Sequence, residues 1–245
     1  MPLPVKSIAP SCAEAAGANK KDKATRANSF FICPIVYHIY PQSQWYTDTT
    51  MDFIIKAIVF IVALTIHEFA HAYTADKLGD PTPRSYGRLT LNPLAHLDLL
   101  GTLAIIFIGF GWAKPVPFDA YNLRNPRRDS MLIALAGPAS NLILAVAISI
   151  LLNFIPSSFI SLILQYVLLG NVSIAIFNLI PVFPLDGEKI LGGLLPPDLY
   201  KEYASIMAQY GTIILILMLL PIAGGTSPIS ALISPIISFV AQLLL

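Results

Sequence analysis

Five consecutive residues in this sequence have the types and spacing for hydrolytic metal chemistry: His67-Glu68-Phe69-Ala70-His71. On a helix, positions four apart share a face, so the imidazoles of His67 and His71 can converge on a single metal ion. Glu68 follows His67 directly and projects beside that face, where it can take a proton from water. Neutral imidazoles, a carboxylate and one open position make a ligand set that suits catalytic zinc, Zn2+. Such a site normally needs a third protein ligand. The chain has four histidines and none after His96, so a downstream third ligand must be a carboxylate. Asp186, which ends a long uncharged stretch, is the candidate; an interfacial carboxylate at a helix end is the other reading of it. His96, alone beside Asp98, reads as a satisfied interfacial residue rather than a fourth ligand.

The surroundings make this cluster informative. Hydrophobic residues are 56% of the 245, charged residues 12%, and mean hydropathy is +0.70. A typical soluble chain is about a quarter charged, so this one cannot cover itself with a polar surface. The composition excludes a cytosolic globular enzyme, a disordered tail and a coiled coil. A net charge of +1 gives no sign of a nucleic-acid partner, and no Walker pattern marks a nucleotide site. Cys12 and Cys33 are too few for a disulfide framework. The class expected is an all-α polytopic membrane protein. Inside apolar helices, three ionisable groups within one and a half turns are an expensive way to pack a core, which favours function.

The spans follow from the uncharged runs. Residues 130–185 and 204–245 contain no Asp, Glu, Lys or Arg. A crossing takes about 20 apolar residues, so the first run holds two spans, with a turn at 153–158. The second holds one at 206–220 and, after a turn at 221–228, another apolar segment. A first helix covers 53–78. Residues 99–112 are apolar but short, and both flanks are basic, so they read as a re-entrant or irregular membrane-embedded segment. Five to six apolar segments result, with a short re-entrant or strand-like region after the first helix. Basic loops put 77–129 and 186–203 in the cytoplasm and the turn near Pro156 outside. Residues 1–50, polar with Lys20, Lys21, Lys23 and Arg26, read as a disordered or non-native extension. Residues 51–203 form the catalytic core, and 204–245 the C-terminal transmembrane segments.

The chain resembles the site-2 proteases, zinc-dependent intramembrane metalloproteases. Three elements carry the likeness in order: His67–His71, Gly137-Pro138-Ala139-Ser140-Asn141, and the run from Asn178 through Pro181 to Asp186-Gly187. Asn92-Pro93-Leu94-Ala95-His96-Leu97-Asp98 and Gly111-Trp112-Ala113-Lys114-Pro115-Val116-Pro117 support it and resemble the bacterial branch. The resemblance covers about 51–203 and is to a minimal form without PDZ or CBS domains. It implies that His67, His71 and Asp186 bind one zinc, that Glu68 is the catalytic base, and that the site is reached from the cytoplasm. It also implies that Asn141 and Asn178 orient the substrate backbone or stabilise the tetrahedral intermediate.

The expected reaction is hydrolysis of a peptide bond within a transmembrane segment of another protein, in the lipid bilayer of a cell membrane. A helix hides its peptide groups, so the substrate must unwind locally; residues 85–90 or 99–112 are expected to pair with it as an added strand. Ser140 and Ser227 lack the setting of a serine protease, and no paired carboxylates mark an aspartic one. The remaining alternative is a non-hydrolytic metal-binding scaffold or transporter, disfavoured by the lack of an internal repeat.

Overall fold

The computed structural model describes residues 49–98, 100–101, 112–221 and 226–245. The expectations for 1–48, and for the re-entrant segment at 99 and 102–111, lie outside the described residues. The helices are α1 (Thr49–Leu78), α2 (Thr82–Ser85), α3 (Pro126–Leu152), α4 (Phe159–Asn178), α5 (Asp186–Leu194), α6 (Pro197–Leu219) and α7 (Pro228–Leu244).

Among the described residues, four helical stretches are long and apolar enough to cross a bilayer: Ala57–Leu78, Pro126–Leu152, Phe159–Asn178 and Pro197–Leu219. The α7 helix, at 17 residues, is shorter. Local chemistry sets the boundaries. Proline stands in the first turn of α3, α6 and α7, where its missing N–H costs nothing. The turn expected at 153–158 is present, and Ser158 caps α4 in a reciprocal pair with Ser161. The fourth long span starts earlier than hydropathy suggests, because Pro197 and Asp198 open α6 well before its apolar half.

The core is built where α3, α4 and α7 meet. Ile148, Leu168, Val172, Ile229, Ile233 and Ile237 are buried there together. The α1 helix packs on α3 and α4, and α5 lies against the start of α3. Arg127 of α3 donates to the carbonyls of Gly192 and Gly193 at 2.9 and 3.3 Å, fastening the C-terminal end of α5.

The strand-like reading of 85–90 is corrected. Pro81 and Pro83 pre-set helical φ, so Thr82–Ser85 forms a short helix, and Gly87 (φ 68°) turns the chain after it. Among the described residues the sole β pairing is a single antiparallel bridge between Leu97 and Ala113, closed by Lys114 N–H donating to His96 O at 2.9 Å.

Asp80, fully buried, ties the end of α1 to the loop that follows. It accepts from Thr82 N–H (3.1 Å), Thr82 Oγ1 (2.6 Å), Asp119 N–H (2.7 Å) and Asn122 Nδ2 (2.8 Å). Burial pushes its pKa up, but these donors outweigh burial and hold it below the ordinary carboxylate value. The stability it contributes is therefore present above the ordinary aspartate pKa and is lost as pH falls through the lowered one. Asp80→Ala orphans four donor contacts to a charged group and is expected to cost about 1.5–3 kcal/mol or more, read as a lower melting temperature at neutral pH.

Candidate metal centre

His67 and His71 lie one turn apart on α1, with their ring centroids 4.6 Å apart and nearly perpendicular. Their Nε2 atoms face the same point. His67 Nε2 is 2.9 Å, and His71 Nε2 3.2 Å, from one oxygen of Asp186, Oδ2. The two rings are buried, and the ligand atoms of all three residues lie within 4.8 Å of one another.

Asp186 reaches this depth because the chain between α4 and α5 is pinned by apolar side chains. Ile180, Val182 and Leu185 are buried in the core, and Tyr203 donates to Pro181 O at 3.0 Å. Gly187 allows the close return: a Cβ there would lie 2.3–2.4 Å from the carbonyl oxygens of Ile180 and Leu179. The glycine of the Asp-Gly pair is thus a steric requirement for bringing Asp186 to the two histidines.

Glu68 is also buried, and its carboxylate accepts the Val116 N–H at 3.2 Å. Val116 stands between Pro115 and Pro117, so it supplies the one backbone donor of that tripeptide. Behind the rings, His71 Nδ1 is 2.7 Å from Ile133 O, and His67 Nδ1 is 2.6 Å from Asn141 Oδ1. Ile133 O can only accept, so His71 carries a proton on Nδ1, and Nε2 is the nitrogen left for a metal. Such outward hydrogen bonds are the usual support of metal-binding histidines.

The residues fit a tetrahedral zinc. Two ligand atoms each 2.0–2.1 Å from zinc at the tetrahedral angle stand roughly 3.3 Å apart, close to the 2.9 and 3.2 Å here. Space is reserved as well. A Cβ on Gly137 of α3 would lie 2.5 Å from His71 Nε2 and 2.6 Å from His67 Nε2, so the glycine leaves open the volume between them.

The cluster opens into a cavity of about 520 Å³. Phe60, Leu64, Phe177, Leu215 and Ile233 supply apolar wall, and Asn178 lines it too. The two asparagines expected together are placed differently. Asn178 is half-buried at the cavity, with Nδ2 on Ile174 O at 3.0 Å; Asn141 is fully buried behind His67 and does not line the cavity. His96 is fully buried elsewhere, with Nε2 at 2.8 Å from Thr90 O.

Sequence reading missed Gly137 as the cradle, Val116 as the donor to Glu68, and Asn171, which contacts Asn141. An asparagine in the middle of an uncharged span is itself a signal that could have found Asn171. Nothing in the spacing of Gly137 announces what it faces.

Membrane-length helices around a buried two-histidine, one-carboxylate centre define a membrane protein built for hydrolytic metal chemistry. Comparison with known proteins agrees. The family profile described as Peptidase family M50 matches residues 155–219. The chain is 36% identical over 192 residues to "Putative zinc metalloprotease YwhC" of Bacillus subtilis, covering 73% of this chain and 85% of that protein. It is 32% identical over 176 residues to "Putative zinc metalloprotease Rip2" of Mycolicibacterium smegmatis, covering 69% and 67%. To "Zinc metalloprotease MJ0392" of Methanocaldococcus jannaschii it is 26% identical over 165 residues, covering 66% and 41%. No solved structure matches the chain. The chain belongs to peptidase family M50, the site-2 proteases.

Proposed function

We propose that this protein is a zinc-dependent intramembrane endopeptidase, with His67, His71 and Asp186 as the ligands of one zinc and Glu68 as the general base. The observation that carries the ligand assignment is the convergence of two imidazole Nε2 atoms from one helix on a carboxylate oxygen 119 positions away from His67. Zinc bound there supplies Lewis acidity to the scissile carbonyl and makes water a nucleophile near neutral pH.

The chain's own residues do the rest. The Glu68 carboxylate, oriented by Val116 N–H, takes the proton of the attacking water and returns it to the leaving amine. Asn178, with its Oδ1 free of the Ile174 contact, is placed to hold a backbone group of the substrate in the cavity. Asn141 serves the site from behind, through His67.

The substrate is a transmembrane segment of another protein, unwound locally to expose a peptide bond. The apolar cavity wall and the membrane-length helices around it support this reading. Catalysis is assigned to 51–203, with 204–245 adding wall through Leu215 and Ile233. The site opens toward the cytoplasm of a cell membrane. The support is the basic flank at the same end of the bundle: Lys77, Arg84, Arg88, Lys114, Arg124, Arg127 and Arg128. At 1.5 Å per residue, His71 lies roughly 10 Å from the end of α1 at Leu78.

Metal analysis tests the ligand set. Purified protein is expected to hold one zinc per chain, and Asp186→Ala to bind it far more weakly than the roughly 10- to 100-fold loss typical of a supporting contact. Zinc affinity in Asp186→Ala equal to wild type would remove Asp186 from the site.

A further inference from the structure

We propose that Asn171 is a positioning residue for the metal centre: acting through Asn141, it fixes which nitrogen of His67 faces the ion. The inference rests on the zinc reading above and assigns a role to a residue outside the ligand set.

The argument is one of donors and acceptors, followed from a backbone carbonyl that admits a single assignment. Val167 O can only accept, and it lies 2.8 Å from the Asn171 amide nitrogen. The amide oxygen of Asn171 must then point away from Val167, and it stands 2.7 Å from Asn141 Nδ2. That nitrogen has two hydrogens. One goes to Asn171 Oδ1 and the other to Ala63 O, at 2.9 Å. With both donors used, the Asn141 oxygen faces His67 Nδ1 at 2.6 Å. An amide oxygen cannot donate, so His67 Nδ1 carries the hydrogen, and Nε2 is the nitrogen that would offer its lone pair to an ion held with Asp186. Turning the Asn141 amide over would set its oxygen against Ala63 O and Asn171 Oδ1 together, three acceptors with no proton among them.

The relay runs from α4 through α3 to α1, and both asparagines are fully buried. At membrane depth every such polar group must find its partner inside the protein, which gives the chain of bonds its directional force. A pair of asparagines can also serve only to join helices. In that case Asn171 would affect the stability of the bundle and leave the metal alone.

The experiment measures zinc affinity by chelator competition on full-length purified protein, with the melting temperature of the zinc-free form alongside. Asn171→Leu fills the space without an acceptor, and Asn171→Ser removes the reach of the acceptor while leaving space. Both are expected to weaken zinc binding about 10- to 100-fold, the usual loss when outer support of a ligand is removed. Asn171→Asp is the rescue. Its carboxyl keeps an acceptor for Asn141 Nδ2 and, when protonated, supplies an O–H to Val167 O. It is expected to bind zinc nearly as well as wild type, with the cobalt(II) absorption spectrum of the wild type, whereas the Leu and Ser variants shift that spectrum. Unchanged affinity and cobalt spectrum in the Ser variant, or an Asp variant as weak as Ser, overturns the proposal; these two decide it even if Asn171→Leu fails to fold. Absence of zinc binding by the wild type would instead overturn the metal reading itself.

Discussion

Glu68→Gln is expected to reduce cleavage of a membrane substrate by about 10²- to 10⁴-fold while leaving zinc in place. The two halves of that expectation have separate causes. Glu68 is not among the atoms that converge on the metal position, so its charge is not needed to hold zinc. Gln can still accept the Val116 N–H, so the loop carrying Pro115 and Pro117 keeps its anchor and the cavity its shape. What is lost is a carboxylate able to accept a proton, and an amide has no substitute for that. The measurement is cleavage in detergent or proteoliposomes, beside the zinc content of the same sample. A Gln variant that cleaves at the wild-type rate removes Glu68 from the chemistry. A wild type that binds zinc, and neither cleaves any membrane substrate nor responds to this change, points to a scaffold or transporter.

How much of this was legible in the sequence depended on the range of the physics involved. Four membrane-length helices and the turn at 153–158 follow from local hydropathy, proline and serine, and the described residues have them, with α6 starting at Pro197 rather than near 206. The convergence of His67 and His71 follows from helical spacing alone. Asp186 was reachable only by elimination and resemblance, because its approach depends on three buried side chains, Ile180, Val182 and Leu185, whose packing no local pattern reveals. The strand-like reading of 85–90 failed for a local reason that was available: prolines at 81 and 83 set helical φ, and Gly87 supplies the reversal. The asparagines divide along the same line. Their residue type announced function, but which of them faces the cavity is a matter of helix rotation. Asn178 lies at the end of α4 beside the cavity, and Asn141 points from α3 into the space behind His67.

Gly137→Ala is expected to abolish zinc binding, and activity with it, without unfolding the protein. The added methyl would sit 2.5 Å from His71 Nε2 and 2.6 Å from His67 Nε2, in the volume where an ion 2.0–2.1 Å from each nitrogen belongs. Neither ring can swing aside freely. His71 is held through Nδ1 by Ile133 O and His67 through Nδ1 by Asn141, so relief of the clash breaks one of these buried bonds or moves α3 away from α1. Backbone propensity acts in the opposite direction: glycine inside a helix is about 0.8–1.0 kcal/mol worse than alanine, so α3 itself gains. Loss of metal in this variant is therefore a consequence of the methyl's position and not of a weakened helix. The discriminating measurement is the melting temperature with and without zinc, because a ligand that binds only the folded state raises it. Wild type should show the rise, and Gly137→Ala should melt at one temperature under both conditions. A zinc-dependent rise in the variant equal to that of wild type would mean that the ion sits somewhere other than between the two imidazoles.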